Sequence, residues 1–96
     1  MIDYNLGKIY TVRCMGDEIP IYVGSTANSL SARLSGHKQD KNCSLYKYIH
    51  QHYNGCWDNW YIELYEPFPC QNKEELNQRE GEIIRLIGTI NKNIAG

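Results

Sequence analysis

Two short β-favouring runs, joined by turn residues, constrain this chain most. Residues 7–14 (GKIYTVRC) and 19–24 (IPIYVG) alternate, and Met15-Gly16-Asp17-Glu18 lies between them. Such a pattern predicts a β-hairpin. Pro20 has no N–H to give a ladder, so it belongs at the start of the second strand or on its edge. Gly24 stops that strand.

After the hairpin the period lengthens. Ser25-Thr26-Ala27-Asn28-Ser29 is rich in residues that cap helices, and residues 29–38 (SLSARLSGHK) predict a short helix with Leu30 and Leu34 inward. Residues 44–53 (SLYKYIHQHY) predict a second helix, with Leu45, Tyr48, Ile49 and His52 on one stripe. Asn54-Gly55 should end it in a left-handed cap. Residues 57–66 (WDNWYIELYE) alternate again as a strand. Trp60, Ile62 and Leu64 fall on one face, Asn59, Tyr61, Glu63 and Tyr65 on the other. Pro67-Phe68-Pro69 breaks it. Asn72 then opens a helix over 73–87, with Glu75 as its capping-box partner. Leu76, Ile83, Ile84 and Ile87 face inward, and Gly88 ends the helix. The predicted order is β-β-α-α-β-α. The fold class is α+β, a three-stranded and mostly antiparallel sheet flanked by helices, in one domain over residues 1–96.

Charge narrows the function. Ten Lys+Arg against eleven Asp+Glu leave a net charge of −1, which argues against strong non-specific binding to nucleic acid. The charge is unevenly spread. Residues 31–50 carry Arg33, Lys38, Lys41 and Lys47 against Asp40 alone, so one basic face is expected. The four Cys, at 14, 43, 56 and 70, lack metal-knuckle and redox spacing. Cys43, His50, His52 and Cys56 come nearest to a zinc set. On a helix, however, His50 and His52 point about 200° apart. Free thiols are the simpler expectation. There is no signal peptide or long apolar run, so a soluble protein of cytoplasm or nucleus, away from membranes, is expected.

Several polar residues stand where stability alone does not ask for them. Tyr10 and Tyr22 lie on neighbouring strands, although paired Tyr is also a common packing unit. Arg33 and His37 are four apart and share a helix face, which could equally be a solvated one. Arg is the fork-shaped donor that suits phosphate, and His moves protons near neutral pH. Glu80 falls on the inward stripe of its helix with Leu76, Ile83, Ile84 and Ile87. A buried carboxylate needs a partner: a cation, an Arg or a Tyr. Glu82 falls outward.

Taken in order, GKIYTV, IYVGST, the Arg33-Leu34-Ser35-Gly36-His37 helix, SLYKYIHQHY, DNWYIELYE, EELNQREGEII and NKNIAG resemble the GIY-YIG nucleases. The resemblance covers essentially the whole chain. It implies a metal-dependent endonuclease that hydrolyses DNA phosphodiesters. Tyr10 would position or deprotonate the attacking water. Tyr22 would bind the scissile phosphate or support Tyr10. Arg33 would neutralise phosphoryl charge, and His37 would assist proton transfer or hold the Tyr hydroxyl. Glu80 would be the metal ligand. Asn93, with Asn91 as competitor, would brace the site. A lone carboxylate suits Mg²⁺, with Mn²⁺ as a substitute. A free Tyr has a pKa of about 10 and is a poor base, so a cation such as Arg33 or Lys8 is expected to lower it. Lys8 departs from the family pattern, standing where the name motif has Gly. Lys8, Lys38, Lys41 and Lys47 are the expected DNA contacts. Family members often append a DNA-binding region, so a stand-alone enzyme and an isolated catalytic domain are both open. A non-catalytic nucleic-acid-binding module of the same fold and a zinc-stabilised interaction domain are the competing classes.

Overall fold

The hairpin forms where the alternation places it, and it turns more tightly than expected. The computed structural model describes residues 3–90. Strand β1 spans Lys8–Cys14 and β2 spans Asp17–Thr26. Cys14 pairs with Asp17, so only Met15 and Gly16 form the loop. Gly16 has φ +87°, a left-handed conformation that costs glycine little. Asp17 and Glu18, expected in the turn, belong to the strand instead. The next pair is Arg13 with Ile21, which leaves Glu18, Ile19 and Pro20 as a bulge. Pro20 therefore sits in a bulge on an edge strand, where its missing N–H breaks no ladder bond. Thr89 covers that edge. Its N–H donates to the Ile21 carbonyl at 3.0 Å, and its hydroxyl accepts from the Ile21 N–H at 2.8 Å.

A third strand, β3 (Trp60–Pro67), pairs antiparallel with the other side of β1, giving the order β2-β1-β3. Trp60, Ile62 and Leu64 lie opposite Cys14, Val12 and Tyr10, so they share one face as expected. Burial fades along that face, from Trp60 to Leu64, which is 47% exposed. A register shift at Ile9/Tyr10 then leaves Tyr65 without a partner in the ladder.

Helices cover both faces. Helix α1 (Leu30–Gln39) starts at Ser29, whose hydroxyl accepts from the Ala32 N–H, and α2 is Ser44–His52. Leu45 and Ile49 of α2 pack on Tyr10, Val12, Cys14 and Trp60. His52, expected on the inward stripe, is exposed, with its ring tilted over Tyr48. Asn54 and Gly55 adopt positive φ at the end of α2, as their chemistry predicts.

Helix α3 (Lys73–Ile87) packs on the opposite face, where Leu76 and Ile83 meet Ile9 and Val23. Asn72 caps it by accepting from the Glu75 N–H at 3.0 Å. Glu75 returns its bond to the N–H of Gln71 rather than Asn72, one residue off the expected box. Arg79 ties α3 to β3, placing two nitrogens on Glu66 Oε1 at 2.6 and 2.7 Å. Central β1 is thus buried on both faces by alternate residues, and two apolar clusters result. No helix among the described residues is long and apolar enough to cross a membrane.

Candidate active site

The hydroxyl of Tyr10 is the hub of the site. Tyr10 pairs with Gly24 across the hairpin, and its ring lies over that residue. A Cβ at Gly24 would overlap both the Tyr10 hydroxyl and its ring. The bare backbone therefore lets a fully buried ring carry its hydroxyl across β2. Tyr22 pairs with Val12, two residues along on the same face, so the tyrosines are diagonal neighbours.

Helix α1 delivers the partners. Leu30, Leu34 and His37 recur on one helical face, and His37 is the residue that α1 buries fully. His37 Nε2 lies 2.6 Å from the Tyr10 hydroxyl. Arg33, one turn earlier, donates from Nε to the same hydroxyl at 3.1 Å. The Tyr22 ring meets His37 edge-on, with centroids 5.2 Å apart. The other imidazole nitrogen, Nδ1, lies 3.0 Å from Cys43 Sγ.

Glu80 reaches the site from the other helical layer. Ser25, just beyond Gly24, points toward α3 and donates its hydroxyl to Glu80 Oε1 at 2.6 Å. The inward carboxylate thus has a hydrogen-bond donor within the protein, and it is a serine rather than the Arg or Tyr considered from sequence. Between Glu80 and Arg33 lies an open cleft of about 340 Å³. Tyr4, Ser25, Thr26, Asn28, Lys73 and Asn77 complete its polar lining. It opens where β2 ends and the layers on the two faces of the sheet approach each other.

Burial dominates the electrostatics. A neighbouring cation alone would make Tyr10 easier to ionise, as the sequence suggests. Instead its pKa is pushed up to about 12, because desolvation of the phenolate outweighs the attraction of Arg33. Burial, reinforced by Tyr10, also pushes Tyr22 up. His37 is pulled down to about 4, by burial first and then by the Arg33 charge, so it is neutral at physiological pH. Glu80 is near enough for its charge to act on both tyrosines.

The remaining expected residues are placed as follows. Lys8 spends its ammonium on the Asn28 carbonyl at 2.8 Å, and the cation that acts on Tyr10 is Arg33. Lys38, Lys41 and Lys47 are exposed on α1, the following loop and α2. Asn91 and Asn93 lie outside the described residues. The Cys43, His50, His52 and Cys56 set does not converge: among the described residues no three His, Cys, Asp or Glu side chains gather as a metal site. His50 stacks on Tyr46 instead, and Cys43 turns to His37. Ser25, Cys43, Lys73 and Asn77 join the site without being expected there. Ser25 lies within the IYVGST string, which hints at it; the other three carry no local signal.

Two tyrosines on a hairpin, a neutral buried His, an Arg and a carboxylate across a cleft are thus gathered at one end of an α+β domain. Residues 6–93 match the GIY-YIG catalytic domain, and the chain belongs to that family. It therefore falls among nuclease-type domains that cleave DNA, a class generally dependent on divalent metal. No curated protein and no solved structure matches the chain significantly.

Proposed function

We propose that this chain is a Mg²⁺-dependent DNA endonuclease, with Tyr10, His37 and Arg33 acting on water and phosphate and Glu80 holding the metal. One observation carries this reading: the Tyr10 hydroxyl is held between His37 Nε2 and Arg33 Nε, beside a cleft walled by Glu80.

Phosphodiester attack needs a deprotonated water and neutralised phosphoryl charge. Tyr10, with a pKa of about 12, is a poor base alone. Neutral His37 changes that. As the water oxygen bonds to phosphorus and the P–O bond to the leaving oxygen breaks, the water's proton passes to the Tyr10 oxygen while the Tyr10 proton passes to His37 Nε2. The leaving oxygen, departing with the electron pair, takes its proton from solvent. Tyr10 ends the step still protonated, so no buried phenolate accumulates. The imidazolium that forms is offset by the nearby anionic phosphate. Arg33 uses Nε on Tyr10, which leaves its terminal nitrogens to meet the phosphoryl oxygens in fork geometry. Tyr22 packs its ring edge on His37 and keeps the imidazole in place.

Glu80 fits a magnesium site of the sparse kind. One carboxylate oxygen is held by Ser25, and the group faces an open cleft with room for waters and substrate phosphate. When bound there, the cation supplies Lewis-acid polarisation of the phosphate and stabilises the leaving oxygen. Mn²⁺ has the same oxygen preference and substitutes for it. The exposed Lys38, Lys41 and Lys47 supply backbone contacts to DNA.

A plasmid nicking assay tests this. Wild-type protein nicks in Mg²⁺ and stops when the metal is chelated, and Glu80→Ala is inactive. Equal cleavage by both proteins would overturn the role of Glu80.

A further inference from the structure

We propose that Cys43 is a positioning residue: its sulfur accepts the Nδ1–H of His37 and so fixes the tautomer in which Nε2 can take the Tyr10 proton. The inference deepens the catalytic reading above and rests on it.

Hydrogen-bond bookkeeping around His37 leads there. Neutral imidazole carries one N–H, and both nitrogens have partners, Tyr10 at 2.6 Å and Cys43 at 3.0 Å. Two arrangements are consistent with those distances. In one, Nε2–H donates to the Tyr10 oxygen and the Cys43 S–H donates to Nδ1. In the other, the Tyr10 O–H donates to Nε2 and Nδ1–H donates to the Cys43 sulfur. Arg33 decides between them, because its Nε–H already donates to the Tyr10 oxygen. Arg33 is a donor only and cannot take the Tyr10 proton, so the first arrangement would leave the Tyr10 O–H without an acceptor in a fully buried position. In the second, the hydroxyl accepts once and donates once, and each nitrogen has its proper partner.

The local structure of α2 gives an independent reason to see a role in this contact. Cys43 occupies the N-cap position of α2, where Ser, Thr, Asp or Asn normally accepts a backbone N–H. Its side chain makes no capping bond. The helix forgoes its cap, and the sulfur is turned to the imidazole.

The consequence is chemical. A His acts as a base only through the nitrogen without a proton, and the bond made by the other nitrogen chooses which one that is. Removing the sulfur leaves Nδ1–H without its acceptor. The tautomer then drifts to Nε2–H, which can donate to Tyr10 and cannot accept from it. The groups that would influence this balance are Tyr10 from β1, Tyr22 from β2, Arg33 on α1 and Asp40 at the C-cap of α1.

Side-chain ¹H–¹⁵N correlation spectra of histidine-labelled protein, with single-turnover cleavage of DNA in Mg²⁺, test the inference. Wild-type His37 shows a protonated Nδ1 and a bare Nε2. Cys43→Ala moves the population toward Nε2–H and lowers kcat on the order of 10-fold, with KM unchanged. A wild-type spectrum showing Nε2–H overturns the inference, and so does a Cys43→Ala protein with both tautomer and kcat unaltered. If Cys43→Ala does not fold, the wild-type spectrum alone decides. Wild-type protein that cleaves nothing would overturn the catalytic reading, while the spectra would still judge the tautomer.

Discussion

Acidification from about pH 7 to about pH 5 should weaken this fold through one side chain. His37 is 1% exposed, and its pKa is pulled from 6.5 to about 4. The sign follows from where the proton binds. The folded pKa lies below the unfolded one, so between the two values the unfolded chain holds more protons. The stability contributed by neutral His37 is complete above the unfolded value and is lost as pH falls toward the folded one. The full gap corresponds to roughly 3 kcal/mol. Between pH 7 and pH 5 the two titration curves differ by about 2 kcal/mol, a large share of a small domain's stability. Urea unfolding at both pH values, on wild type and His37→Gln, measures it. Gln keeps a polar group against Tyr10 and Cys43 and has no proton to gain. The wild type should lose about 2 kcal/mol over this interval and the variant a small fraction of that. His50 and His52 are exposed on α2 and present in both proteins, so their contributions cancel. An equal loss in both proteins would refute the claim that His37 is held neutral by burial.

Other consequences are sharper in kind. Gly24→Ala places a methyl where the Tyr10 ring lies, and should cost about 1–3 kcal/mol in chemical denaturation and reduce cleavage; a variant with unchanged stability would show that Tyr10 does not lie over the strand. Lys41→Glu and Lys47→Glu should weaken DNA binding at low salt, and each should flatten the dependence of log affinity on log salt by about 0.9 for every phosphate that is no longer neutralised. Unchanged affinity in a fluorescence anisotropy titration would place the basic segment away from DNA.

Much of this architecture is legible from pattern alone, and the exceptions share a cause. Helix α3 runs over Lys73–Ile87 as its cap and apolar stripe require. The stripe also places Glu80 inward, which is where it meets Ser25. Pattern does not give the identity of partners. Ser25 and Glu80 are 55 positions apart, and they meet only because α3 packs beneath the end of β2. Cys43 is six positions from His37, across the end of α1, so no helical period links them. The bulge at Glu18–Pro20 is hidden in the sequence because Asp17-Glu18 is as suitable for a turn as Met15-Gly16. Charge reasoning has the right sign for Arg33 on Tyr10 and the wrong outcome, because burial of the ring is a tertiary fact and is the larger effect.

The central claim is that the Tyr10 hydroxyl relays a proton to His37. Tyr10→Phe removes that one oxygen and keeps the buried ring, so the fold should persist. Single-turnover cleavage of DNA in Mg²⁺ by this variant is the most direct measurement. The account predicts a drop on the order of 100-fold or more, with DNA affinity close to wild type. Cleavage at the wild-type rate by a folded Tyr10→Phe protein would contradict it.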